Sequence, residues 1–125
     1  MMDVADIRSY CLAKPGTSDD MPFDDTVIVA RVLGKIFAFL PLDTIPTVIA
    51  LKCDPERAVE LRERYDAVRP GFHLNKKHWN SITCDGSVPV HMLRELIDHS
   101  YDLVAKGLSK RQRDELAELS ERESG

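Results

Sequence analysis

The sequence predicts a two-layer α+β domain, an antiparallel sheet with its helices packed on one face, on three observations. Strand-like runs follow one another with only short turns between them, as in residues 26–32 and 35–40 around Leu33-Gly34, and such connections select antiparallel pairing. Two longer runs carry a single apolar stripe at helical spacing, so both need the same core. The length of 125 residues matches one ordinary domain, in which roughly 65–70% of the unfolded surface becomes buried.

The elements follow in order. Asp3 is the N-cap of a first helix over residues 3–14, where Val4, Ile7, Cys11 and Leu12 recur at helical spacing until Pro15-Gly16 ends the run. Residues 17–25 read as an acidic, Pro-containing loop. The β-branched run 26–32 and the run 35–40 form a hairpin, and residues 47–53 form a third strand. Asp54-Pro55-Glu56 then combines a capping side chain, a helix-compatible proline and an acid in the first turn. That second helix runs to about Tyr65, burying Ala58 and Leu61. Pro70-Gly71 breaks the chain, residues 72–74 and 78–84 supply two more strands, and Asp85-Gly86 turns into a long helix over residues 89–106, with Ser87 as its expected cap. The order is α-β-β-β-α-β-β-α, followed by a charged C-terminal tail. Residues 1–108 form the single domain. Residues 109–125 open on a Ser-x-x-Gln capping pattern but hold only Leu116 and Leu119 as large apolar residues, so a marginal helix or a disordered tail is expected.

Composition bounds the function. Hydrophobic residues at 43% and charged residues at 30% describe a soluble domain, and no apolar run approaches the roughly 20 residues of a membrane helix. Residues 1–8 have no apolar core of a secretory signal, so a cytoplasmic location is expected. Cys11, Cys53 and Cys84 are an odd count without Cys-x-x-Cys spacing, which suits reduced, buried thiols and leaves no zinc site or disulfide framework.

The net charge of −4 argues against a generally basic nucleic-acid binder, but the charge is unevenly spread. Residues 1–25 hold six acids and two bases, whereas residues 62–80 hold five bases (Arg62, Arg64, Arg69, Lys76, Lys77) against Glu63 and Asp66. Any anion-binding surface is therefore local. Chemistry concentrates in His73-Leu74-Asn75-Lys76-Lys77-His78-Trp79-Asn80, which contains the only tryptophan. The plainer alternative is a turn whose lysines solvate its tip and whose asparagines satisfy its backbone.

Four motifs in order, DIRSYCLAKPGTSDDMPFDD, LKCDPERAVELRERY, PGFHLNKKHWNSI and ELIDHSYDLV, resemble the MmcQ/YjbR family of small bacterial proteins over residue 3 to about residue 108. The resemblance implies a fold related to frataxin-like CyaY proteins and DNA binding through a double-wing arrangement. It places His73, Asn75, Lys76, His78, Trp79 and Asn80 in the family's most recognisable motif.

Side-chain parity locates these residues independently. In residues 78–84, Asn80, Ile82 and Cys84 share one face and Trp79, Ser81 and Thr83 the other. In residues 47–53, Ile49, Leu51 and Cys53 leave Lys52 opposite them. In residues 26–32, Ile28, Ala30 and Val32 oppose Arg31. With helices on the more apolar faces, Trp79, Lys52 and Arg31 stand on the open face of the sheet. A bulge near Lys76-Lys77 reverses this for Trp79 and makes it a core residue.

The functional expectation is a binding domain rather than an enzyme, with no cofactor, no metal and no membrane partner. In the DNA-binding reading, Lys76 and Lys77 contact phosphates, Trp79 or His73 stacks on an unpaired base, and Asn75 or Asn80 bonds a base edge or sugar. Arg31 and Lys52 add charge on the open face, and His78 belongs to the same candidate nucleic-acid or anion site. A small anion or a protein partner is the alternative ligand. A metal site on His73 and His78 is disfavoured by the two lysines between them, and iron handling would need more acid on helix one than Asp3 and Asp6 supply. Cysteine catalysis fails because Cys53 falls on the core side and Asp54 is a helix cap.

Overall fold

The computed structural model describes residues 2–71 and 74–124. The order is α1 (Val4–Leu12), β1 (Thr17–Asp20), β2 (Val27–Val32), β3 (Lys35–Pro41), β4 (Val48–Lys52), α2 (Pro55–Arg64), β5 (Val68–Pro70), β6 (Trp79–Thr83), α3 (Val90–Lys106) and α4 (Lys110–Ser124). The strands form one antiparallel sheet in the order β1-β2-β3-β4-β6-β5. The two-layer α+β sandwich is thus as the sequence predicts.

Asp3 caps α1 reciprocally: its carboxylate accepts from Asp6 N at 2.9 Å, and the Asp6 carboxylate accepts from Asp3 N at 3.1 Å. Two unpaired helix donors are satisfied at once. Gly16, at φ +70°, then reverses the chain. The segment expected as an acidic loop opens instead as β1, each residue of which pairs with β2 from Thr17↔Val32 to Asp20↔Val29. The poor strand propensity of aspartate is overcome at this edge because Asp19 meets Arg8 Nε at 2.6 Å and Asp20 meets Arg31 Nε at 2.8 Å.

Leu33 (φ +43°) and Gly34 (φ +88°) form the tight turn of the β2–β3 hairpin. Past the turn, the register shifts between Ala30 and Arg31, so Ala30 faces Ala38 while Arg31 faces Ile36. This bulge lets Phe37 and Ala38, neighbours in sequence, both enter the core. The Phe37 ring meets Tyr101 of α3 edge-on at 5.4 Å, a pair worth about 0.5–1.5 kcal/mol beyond its burial. Ser100 Oγ donates to Phe37 O at 2.6 Å and accepts from Lys52 N at 2.9 Å. It thereby bridges β3 and β4 just beyond the Ala38↔Leu51 pair.

Asp54 caps α2 by accepting from Arg57 N at 3.2 Å, with Pro55 in the first turn. An edge strand that the sequence reading did not foresee runs over Val68–Pro70, where an edge position tolerates Pro70; of the strand expected at residues 72–74, residues 72 and 73 lie outside the described residues and Leu74 is a bend. Ser87 bonds Asp85 rather than capping α3, whose N-cap is Pro89. The core gathers Ile7 and Cys11 of α1, Leu93, Leu96, Ile97 and Val104 of α3, and the facing residues Val32, Leu40, Ile49, Leu51 and Ile82 of the sheet. Residues 110–124 are helical. Leu116 is buried there, and a Cβ on Gly16 would fall 2.8 Å from its Cδ1.

Candidate binding site on the open sheet face

The strand register sorts the site residues by face. Asn80, Ile82 and Cys84 are buried toward the helices, while Trp79, Ser81 and Thr83 are half-buried on the other side. Trp79 lies opposite Lys52, and Ser81 is flanked by Ala50 on β4 and Arg69 on β5. Ala50 faces Phe39 in turn, and Phe39 faces Val29. The result is a row of side chains across the sheet with no helix over it.

Aromatic rings concentrate on this face. Phe39 and Trp79 meet at 5.4 Å between centroids and 70° between planes, and Phe23 stacks on Phe39 at 6.3 Å and 19°. Phe23 is 66% exposed, so the row ends in an aromatic ring open to solvent. Beside it lies a groove of about 570 Å³, walled by Phe23, Val27, Phe39, Val48 and Leu74, with Asp43, Thr44 and Ser81 among its polar groups. That volume falls within the range of small-ligand sites, roughly 300–1,000 Å³.

The turn before β6 is built from its own amides. Asn75 O accepts from His78 N at 3.2 Å and Trp79 N at 2.9 Å, and Asn75 Oδ1 accepts from Lys77 N at 2.9 Å. Arg62 of α2 reaches across to donate to Lys76 O through Nη2 and to Asn80 Oδ1 through Nε at 2.7 Å. Gly71 N donates to Trp79 O at 2.8 Å, and a Cβ on Gly71 would lie 2.9 Å from Trp79 Cβ, so only glycine fits.

These bonds divide the residues that the sequence singled out. Lys76 and Lys77 are exposed, Lys52, His78 and Trp79 are half-buried, and none of the three lysines has an ion-pair partner among the described residues. Asn75 spends its side chain on the turn. Asn80, 2% exposed, also donates to Ala58 O at 3.4 Å, so its amide is committed to the interior and cannot read a base edge. Arg31 is on the open face but bonds Asp20 and, at 3.0 Å, Gly34 O, which neutralises its charge. It lies two strands from Lys52. His73 lies outside the described residues.

Sequence reasoning missed Phe23 and Phe39, and it counted Arg62 and Arg69 only as charges of the basic segment, without the organising role of Arg62. Strand parity carried a signal for Phe39, but Phe37 has the same parity and points to the core; the bulge between them separates the two. Phe23, in a loop, left no periodic trace.

Elsewhere, burial pushes the Cys11 thiol up to about 12 and the Cys53 and Cys84 thiols up to about 11, so all three are protonated and unreactive at neutral pH. Among the described residues no three His, Cys, Asp or Glu side chains converge to hold a metal. No described helix is long and apolar enough to cross a membrane.

A small two-layer α+β domain with an uncovered aromatic sheet face is what the fold and this geometry define. The chain belongs to the YjbR family, whose model matches residues 12–103. It is 33% identical over 118 residues to the uncharacterized protein YjbR of Escherichia coli K12, covering 94% of this chain and all of that protein. It is 38% identical over 91 residues to the uncharacterized protein YbdF of Escherichia coli O157:H7, covering 72% of this chain and 74% of YbdF. The crystal structure of Deinococcus radiodurans protein DR2400, of domain family DUF419, superposes with a TM-score of 0.87 at 43% identity, covering 94% of this chain and 89% of that one. A Pseudomonas syringae protein superposes with a TM-score of 0.70 at 28% identity, covering 82% of this chain and 98% of that one.

Proposed function

We propose that this chain is a non-enzymatic binding domain whose open sheet face takes single-stranded nucleic acid. The observation that carries the reading is the Phe39–Trp79 pair, half-buried on the sheet face away from the helices, with Lys52 directly across from Trp79. An aromatic platform flanked by cations is what unstacked bases and their phosphates require, because every base has a π-face and every phosphate a charge. Lys76 and Lys77, exposed in the turn before β6, and Arg69, exposed on β5 across from Ser81, supply further phosphate contacts. A duplex is the poorer ligand, since a broad, flat face offers no protruding helix or ribbon for the major groove. A small anion seated in the groove is the second reading, favoured by the groove's volume.

Trp79 is the only tryptophan and hence a built-in reporter. Its fluorescence, followed while single-stranded DNA, single-stranded RNA, duplex DNA and small metabolite anions are added, separates the readings. Salt-sensitive quenching by single strands, in the range of roughly 10⁻⁴ to 10⁻⁶ M for a small basic patch, is the expected result. Quenching by the small anions alone transfers the site to the second reading. No response to any nucleic acid at low ionic strength, also by a method independent of fluorescence, refutes the nucleic-acid reading.

A further inference from the structure

The groove beside Phe39 has two chemically opposite ends. At the end where β4 reaches Lys52, across from Trp79, Leu74 lies beside Gly71 and leads into Asn75, Lys76 and Lys77; at the end where β4 begins at Val48, Asp43 lines the wall and makes no hydrogen bond or ion pair among the described residues. The Asp24 carboxylate, which accepts from N and Oγ1 of the groove-lining Thr26, adds negative charge to the same groove. Between them the walls are apolar and aromatic, from Val27, Phe39 and Val48. An anionic ligand therefore enters in one orientation, with its phosphate toward the lysines and a hydrogen-bond donor toward Asp43, because the reverse places phosphate against carboxylate.

We propose that this groove seats one guanine base of a single strand, and that Asp43 selects it. The proposal rests on the reading of the open face as a nucleic-acid surface and adds the identity of the base. A carboxylate accepts at two oxygens, and the Watson–Crick edge of guanine alone presents two donors side by side, N1–H and the N2 amino group. Adenine and cytosine each set a ring-nitrogen acceptor beside their amino group, and uracil sets a carbonyl on either side of its N3–H. Each of these brings an acceptor lone pair against the carboxylate. The flat base fills the apolar waist beside Phe39, where stacking is available. Asp43 is exposed, so its replacement leaves the core untouched.

The test titrates the full chain with short single strands that differ only in one central base, and with guanosine monophosphate alone, reading Trp79 fluorescence and a competition assay. The guanine strand is expected to bind about tenfold or more tightly than the adenine, cytosine and uracil strands, the margin of one good bidentate contact. Asp43→Asn is expected to remove that margin, because guanine loses its two-acceptor partner while the other three strands bind equally well or more tightly once the carboxylate charge is gone. Equal affinity for all four strands, or a guanine margin that survives Asp43→Asn, overturns the proposal while the broader nucleic-acid reading stands. Guanosine monophosphate binding as tightly as the guanine strand overturns the strand as the source of the base. Absence of binding by every strand sinks both readings together.

Discussion

Arg62 Nε donates to the Asn80 carboxamide oxygen at 2.7 Å, joining α2 to the central region of the sheet beneath the face opposite Trp79. The same guanidinium also holds Lys76 O. One side chain thus fixes both a buried amide of β6 and the backbone that presents the lysines. Arg62→Ala leaves Asn80 Oδ1 buried without this partner, and the expected cost is about 1–3 kcal/mol. Urea unfolding measures it. Because the two residues share one interaction, Arg62→Ala combined with Asn80→Ala is expected to cost less than the two single changes added together.

Replacing Lys76 and Lys77 by alanine removes two exposed charges that the fold does not use for ion pairs. Stability is expected to stay within about 0.5 kcal/mol of the parent. Binding to nucleic acid should weaken uniformly across sequences, and its salt dependence should flatten by about 1.4 units in log–log slope for single strands, roughly 0.7 per phosphate. An unchanged slope, measured by titration at several salt concentrations, shows that these lysines touch no phosphate.

Ser100→Ala deletes the hydroxyl that bridges Phe37 O and Lys52 N. Both backbone groups lose a partner at a place where the strand ladder cannot supply one. A loss of about 1–3 kcal/mol is expected, together with faster amide exchange at Lys52, the position that lies across from Trp79. Hydrogen exchange distinguishes this from simple loss of packing volume, which is small for serine to alanine.

His99 supplies a pH dependence. Its Nε2 accepts from Asp54 N at 3.1 Å, at the start of α2, so the fold favours the neutral ring. Burial, and then the Arg57 guanidinium, lower its pKa below the ordinary 6.5. A histidine with a lowered folded pKa stabilises fully above the unfolded value of 6.5, and this contribution fades as the pH falls through 6.5 to the folded pKa. The urea midpoint should therefore drop between about pH 7 and pH 5 by more in the parent than in His99→Gln. Equal drops in the two proteins refute this role.

The layered architecture, the hairpin at Leu33-Gly34, the caps Asp3 and Asp54 and the face occupied by Trp79 were legible from periodicity and parity, because those signals are local. β1 was not, since Thr17–Asp20 has the composition of a loop and becomes a strand only through Arg8 and Arg31, which are distant in sequence from their aspartates. β5 at Val68–Pro70 was missed because a proline in a strand is permitted only at an edge, and edges are a property of the assembled sheet. In the site, local chemistry picked out Lys76, Lys77 and Trp79. It could not show that Asn80 points inward to Arg62, nor that Phe23 and Phe39 complete an aromatic row, since both facts depend on what lies across the fold.

The two outermost strands are short, four residues in β1 and three in β5, and one carries Asp19 and Asp20 while the other carries Arg69 and Pro70. Charge, brevity and a missing amide hydrogen are the devices that stop sheets from extending into neighbouring molecules. A protein that leaves aromatic rings uncovered is at risk of self-association. Here both rims disfavour pairing with a second chain, which lowers the risk that the exposed rings seed fibrils. A partner that docks by donating a strand would meet a short, charged edge on either rim, whereas one that docks on the face would meet side chains.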